Sequence, residues 1–200
     1  AYNCIDRHLK KRGNQVAIIW EGDNPYDDKK ITYNELYEQV CRLSNVMKKK
    51  GVQKGDRVTI YMPMIPQAAI AMLACARLGA IHSVVFGGFA PHELAIRIDD
   101  AKPKAIITAT SGIEIDRIIP YKPMVDEAIK LAAHKPEHVI FHNRKLGAIR
   151  PDAEYDIDCN TLMKMADPVG CTEVDATDPL YILYTSGTTG GPKGIIRDNG

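Results

Sequence analysis

Short runs of β-branched and aromatic residues alternate with helical patterns from Val58 onward, and this alternation constrains the fold more than any other feature. Val58-Thr59-Ile60-Tyr61 reads as a strand followed by a Pro-bounded turn. Residues 67–78 carry an alanine-rich helical pattern closed by Gly79, and Ile81–Phe86 reads as the next, buried strand. Pro91 marks a second helix start, with the helix running to Ala101 and the strand Ala105-Ile106-Ile107-Thr108 after it. A third helix over 124–133 leads to the strand Val139-Ile140-Phe141. Crossovers between parallel strands are right-handed, so these units predict an α/β fold, a largely parallel sheet flanked by helices. Ahead of them, Thr32 and Glu35 have capping-box spacing, and Leu36, Val40, Leu43 and Met47 recur at helical intervals up to Gly51. The triplet Lys48-Lys49-Lys50 reads as cations favoured at that helix's C-terminus.

Residues 143–178 are less regular, holding Pro151, Pro168 and one short helical pattern over 160–165. They read as a surface excursion before the apolar run Leu180-Tyr181-Ile182-Leu183-Tyr184. There are no internal repeats and no low-complexity segments. A hydrophobic content of 45% is enough for a core, and 26 Lys plus Arg against 25 Asp plus Glu give no basic field for nucleic acid. The longest apolar stretch, 67–85, is broken by Arg77 and His82, so no membrane span is expected. Cys4, Cys41, Cys75, Cys159 and Cys171 are odd in number and without a Cys-x-x-Cys pair, and the start does not read as a signal peptide. An intracellular, reducing compartment follows, cytoplasmic or, in a eukaryote, the mitochondrial matrix. Cys75 falls in an apolar pattern and reads as core, not as a nucleophile.

The run Thr185-Ser186-Gly187-Thr188-Thr189-Gly190-Gly191-Pro192-Lys193-Gly194 concentrates hydroxyls, glycines and one lysine. Glycines admit backbone N–H groups to a phosphate, the hydroxyls donate further bonds, and Lys193 adds a compact positive charge. A Walker A loop ends Gly-Lys-Ser/Thr, whereas Lys193 stands between Pro192 and Gly194, so the P-loop reading fails. A solvated linker is the competing reading of such a composition. The strand pattern leading into the run favours a polyphosphate grip, with ATP as its ligand.

Residues 184–194 resemble the AMP-binding signature of the adenylate-forming superfamily. Pro179-Leu180-Tyr181-Ile182-Leu183-Tyr184, Tyr61-Met62-Pro63-Met64-Ile65-Pro66 and Phe86-Gly87-Gly88-Phe89 are similar to the short-chain acyl-CoA synthetases within it. Ile196-Arg197-Asp198-Asn199-Gly200 is more similar to the propionate-activating than to the acetate-activating members. The resemblance implies that residues 1–200 are the first part of the large N-terminal AMP-binding domain. The remainder of that domain and a C-terminal domain would be absent, and the piece is expected to be inactive alone. It implies ATP, Mg²⁺ and coenzyme A as co-substrates of a short-chain carboxylate, acetate or propionate, placing the activity in fatty acid metabolism as an acid–thiol ligase. By the same resemblance Thr185, Ser186, Gly187, Thr188, Thr189, Gly190 and Lys193 contact the ATP phosphates, with Thr188 and Lys193 taking part in catalysis. Phe86, Gly87 and Gly88 would line the coenzyme A path, although from spacing alone the paired glycines read as a tight strand-to-helix turn. Arg117 matches an arginine that contacts the coenzyme's nucleotide, while Glu114 departs from the pattern at the place of a second arginine.

His134, His138 and His142 recur at four-residue intervals, but Pro136 breaks any helix that could present them together, so no metal ligands are assigned. His82 reads as a core histidine, and Met62 and Met64 as packing residues. Two alternatives to the enzyme remain: a non-catalytic nucleotide-binding or regulatory module using the phosphate loop, and a piece with no ligand affinity.

Overall fold

The computed structural model describes residues 1–24, 26–185 and 191–200. A turn of 3₁₀ helix, Asp6–His8, and the short helix α1 (Leu9–Arg12) precede a hairpin of β1 (Val16–Glu21) and β2 (Asp28–Thr32). Helix α2 (Tyr33–Lys49) follows. Thr32 accepts the Glu35 backbone N–H through its side chain while Glu35 accepts the Thr32 N–H, closing the expected capping box. The core sheet then runs through β3 (Arg57–Met62), α3 (Pro66–Leu78), β4 (Ile81–Phe86), α4 (Pro91–Ala101) and β5 (Ala105–Ala109). A small hairpin of β6 (Gly112–Glu114) and β7 (Arg117–Ile119) leads to α5 (Tyr121–Leu131) and β8 (His138–His142). The last elements are β9 (Asp156–Asp158), α6 (Cys159–Lys164), β10 (Pro179–Thr185) and β11 (Lys193–Asp198).

Seven strands form the main sheet in the order β11-β10-β4-β3-β5-β8-β9. All neighbours are parallel except β10 and β11, which pair antiparallel at one edge. Side chains alternate between the two faces along each strand. Val58, Ile60 and Met62 of β3, Ala105 and Ile107 of β5 and Ile140 of β8 pack with α2, α3 and α6. Tyr61, Ile106 and Val139, one residue out of phase, pack with α4 and α5 on the other face. Both faces are covered, so the central strands read as unbroken apolar runs rather than alternating ones.

The chain leaves β3 for β4 on one side and then crosses back to β5 on the other side of β3. The carboxyl ends of strands at such a reversal are where open α/β sheets take ligands. Gly79, at φ 69° in the left-handed region, ends α3 and aims the chain into β4.

Some expectations shift. The third helix begins three residues early because Pro123 stands in its first turn, where no intrahelical N–H is needed. Met62 is buried, but Met64 is 89% exposed, and its carbonyl accepts the Trp20 Nε1–H at 2.8 Å. Met64 is therefore not a packing residue; it follows the strand end, where the chain turns away from the core.

The two residues that interrupt the long apolar stretch are both inside. Arg77 is 1% exposed, with its two Nη atoms 2.9 Å from the Asp6 carboxylate and its Nε donating to the Val169 carbonyl at 2.7 Å. It ties α3 to the N-terminal turn and to the irregular 165–178 segment. Removing one member of a buried pair strands the other charge. Asp6→Ala is expected to lower the unfolding free energy by about 3 kcal/mol in urea titrations, and a loss under about 0.5 kcal/mol, the size seen for an exposed pair, would contradict this.

His82 in β4 and His142 at the end of β8 are both held down to about 4 by burial. Their folded pKa values lie below the unfolded value, so the unfolded chain takes up protons first as pH falls. Stability is whole above about pH 6.5 and is lost towards pH 4, by up to about 1.4 kcal/mol per pH unit for each group. Urea unfolding at pH 7, 6 and 5 should show this decline, and His82→Gln should halve its slope. A stability constant over that range would refute the assignment.

Candidate functional site

β10 lies parallel to β4, with Tyr181 opposite His82 and Ile182 opposite Ser83. Continued along both strands, this register brings Thr185, the last residue of β10, level with Phe86, the last of β4. The end of β10 at Thr185 and the Phe86-Gly87-Gly88-Phe89 turn therefore lie at the same carboxyl edge of the sheet. β11 returns antiparallel to β10, and its first residue, Lys193, is the register partner of Thr185. The pairing sets the hydroxyl and the cation at the two ends of the run side by side, both exposed. Sequence reading had not found this strand. Ser186, Gly187, Thr188, Thr189 and Gly190 lie outside the described residues.

The glycine turn is shaped by close approach. A Cβ on Gly87 would collide with the Tyr121 hydroxyl and lie 2.7 Å from Cε1 of the same ring; on Gly88 it would lie 2.5 Å from Cε1 of Phe86. Glycine is a steric necessity at Gly87, where the Tyr121 ring is buried, whereas at Gly88 the exposed Phe86 ring has room to give way. The Tyr61 hydroxyl donates to the carbonyls of Gly87 at 3.1 Å and Phe89 at 2.7 Å, and burial pushes its pKa up to about 12, keeping it a donor. Phe86 is left 68% exposed, with its ring edge-on to Phe89 at 5.6 Å. It is an apolar surface at the mouth of the edge.

Arg117 opens β7, exposed, with Glu114 directly opposite across the hairpin. Tyr121 joins this hairpin to the turn: its ring lies 5.2 Å from that of Tyr61 and also blocks a Cβ at Gly112, the base of β6. Thus Gly87 and the hairpin carrying Arg117 share one wall. From sequence Tyr61 reads only as a strand residue and part of a motif, and Tyr121 is not noticed; neither a strand nor a helix pattern gives a sign that a side chain reaches a turn elsewhere in the chain.

Tyr184, one residue before Thr185, is fixed by α4. Its hydroxyl donates to Asp100 Oδ2 at 2.6 Å, and burial together with this bond raises its pKa. The three histidines at four-residue spacing are separated: Nε2 of His134 lies 2.8 Å from the Pro103 carbonyl, while His138 and His142 stand at opposite ends of β8. Cys75 is fully buried, and burial pushes the Cys159 thiol up to about 12, so neither presents a ready thiolate. A separate cleft of about 250 Å³ opens at the carboxyl ends of β3 and β8, lined by Trp20, Lys29, Gln67 and Arg144. It does not include Thr185 or Lys193.

Comparison with known proteins bears on the fold and the family. The family model described as AMP-binding enzyme matches residues 5–199. The chain is 58% identical to an acetyl-coenzyme A synthetase of Mesorhizobium japonicum, over 98% of this chain and 31% of that protein. It is 54% identical to an acetyl-coenzyme A synthetase of Methylobacterium radiotolerans, over 100% of this chain and 31% of the other. Among solved structures, acetoacetyl-CoA synthetase from Streptomyces lividans superposes with a TM-score of 0.86 at 27% identity, covering 96% of this chain and 29% of that one. The chain thus spans about a third of the length of the curated relatives it matches. No described helix is long and apolar enough to cross a membrane. With its mostly parallel sheet, its glycine turn and its hydroxyl-rich edge segment, the chain belongs to the AMP-binding enzyme family.

Proposed function

We propose that this chain is the first part of the large N-terminal domain of an AMP-forming short-chain acyl-CoA synthetase. In it, residues 185–193 grip the phosphates of ATP. The observation that carries the reading is the pairing of Thr185 with Lys193 at the carboxyl edge of the sheet, beside the glycine turn. Activating a carboxylate with ATP brings two anions together. The Lys193 cation and the hydroxyls of Thr185, Ser186, Thr188 and Thr189, with N–H groups of Gly187 and Gly190, would offset that repulsion and stabilise charge developing on the phosphates. The carboxylate attacks the α-phosphorus, its P–O bond to the pyrophosphate breaks, and an acyl-adenylate forms. Coenzyme A thiol then attacks the acyl carbon and AMP leaves. No enzyme nucleophile is required.

Phe86, Gly87, Gly88 and Arg117 are the coenzyme-facing residues of this proposal. Phe86 offers an exposed apolar surface beside the turn, and Arg117 supplies a cation for a phosphate; Glu114 opposite it weakens that attraction. Mg²⁺ would enter on the ATP phosphates, which supply most of its ligands in such sites, and lower their charge. We assign it no protein ligand among the described residues. Acetate fits the names of the relatives, while propionate rests on Arg197 and its neighbours. The five free cysteines fit a reducing, intracellular setting.

ATP–pyrophosphate exchange on the full-length polypeptide with acetate, propionate and butyrate tests the reading. Exchange with at least one acid is expected, and its absence with all three would leave the chain a nucleotide-holding module at most. Lys193→Ala is expected to slow adenylation on the order of 100-fold, while supplied acyl-adenylate still reacts with coenzyme A near the parental rate. Equal loss of both half-reactions would contradict the role given to Lys193.

A further inference from the structure

We propose that Arg97 is a positioning residue that locks the glycine turn to the strand entering the phosphate segment, so that the two walls of the site move as one. The inference rests on the acyl-CoA synthetase reading for its consequence in catalysis, and on geometry alone for the lock itself.

Helix α4 begins just after the turn, packs against α5 and β3, and at its end brings Ala101 against Ile81 of β4 and Ile182 of β10. Arg97, in its middle, is 6% exposed. Its guanidinium carbon lies 4.4 Å from the centroid of the Phe89 ring and 5.5 Å from that of Tyr184. One flat cation thus contacts both an aromatic of the turn and the aromatic that precedes Thr185. Nη1 donates to the Glu93 carbonyl at 2.6 Å and to its Oε2 at 2.8 Å, which fixes the plane of the group from one helical turn back. Three residues on, on the same helix face, Asp100 accepts the Tyr184 hydroxyl at 2.6 Å. Helix α4 therefore holds Tyr184 at two points. At the far end Phe89 is held by the Tyr61 hydroxyl through its carbonyl, so the path runs from β3 through the turn and α4 to β10.

Burying a guanidinium with one partly exposed carboxylate is a poor way to gain stability, since an apolar side chain of similar volume fills such a place at less desolvation cost. Two parallel flat faces are what the apolar substitute lacks. Lysine keeps the charge but not the plane.

The test uses the full-length polypeptide and four variants, Arg97→Met, Arg97→Lys, Tyr184→Leu and Glu93→Gln, read by amide hydrogen exchange and by the two half-reactions assayed separately. In Arg97→Met, exchange at 86–89 and in β10 and β11 should accelerate by about tenfold, the size of a desolvated cation–π contact, with β3 and β5 unchanged. Arg97→Lys should not rescue it. Tyr184→Leu leaves Arg97 and the turn intact in sequence, yet should loosen 86–89 by removing the second ring that holds the guanidinium. Glu93→Gln, which keeps an oxygen acceptor for Nη1 and leaves both rings against Arg97, should accelerate exchange less than Arg97→Met does. In Arg97→Met both half-reactions should fall by about tenfold in kcat, because turn and phosphate segment lose their common reference. Acceleration spread evenly over all strands, full rescue by lysine, or a turn indifferent to Tyr184→Leu would each overturn the proposal. If Arg97→Met fails to fold, the Tyr184→Leu exchange pattern decides alone. A parent without ATP-dependent exchange would defeat the synthetase reading and leave the hydrogen-exchange result to judge the lock.

Discussion

The parallel pairing of β10 with β4 is the constraint on which the site depends. It carries Thr185, the last residue of β10, to the carboxyl edge of the sheet, where the glycine turn after β4 lies. Parallel strands cannot be joined by a tight turn, so the chain reaches β10 only after running through α4, β5, α5, β8, β9 and α6. Within that excursion α4 packs on α5 and β3, α5 packs on β3 and β5, α6 packs on α2 and β8, and β9 pairs with β8. The antiparallel return of β11 then sets Lys193 opposite Thr185, which no parallel crossover could do within so few residues.

Buried cations recur at the joints between regular and irregular structure. Arg77 joins α3 to the N-terminal turn and to the 165–178 segment. Lys122, 2% exposed at the start of α5, lies 2.5 Å from Asp126 and 2.9 Å from Asp156, the residue that opens β9. Arg97 joins α4 to the turn and to β10. Such pairs return little net stability once desolvation is counted, but each admits few alternative geometries. They define positions that apolar contacts alone would leave free to slide.

The central architecture was legible because its signals are local. Ile81–Phe86 and Pro91–Ala101 sit at the bounds read from sequence, since glycine and proline mark their ends. The hairpin of β1 and β2 was passed over although Val16, Ile18, Ile19 and Trp20 precede the turn residues Gly22, Asp23 and Asn24. β6, β7 and β9 are three residues each, too short to show a period. β11 was read only as part of a motif, because Lys193 and Gly194 disguise its start. For the site, composition singled out a segment rich in hydroxyls and glycine, but contacts such as Tyr61 to Gly87 and Arg97 to Tyr184 join residues far apart in the chain, which no local pattern records. The glycine turn shows the same limit: its steric need was foreseen, but the ring that imposes it was not.

The most direct measurement is a crystal structure of the full-length polypeptide with an ATP analogue resistant to cleavage. The account predicts the phosphate chain seated between the Thr185 hydroxyl and the Lys193 ammonium, with β10 and β11 still paired. A nucleotide bound at the cleft beside Trp20 and Arg144, with Lys193 distant from every phosphorus atom, would contradict it.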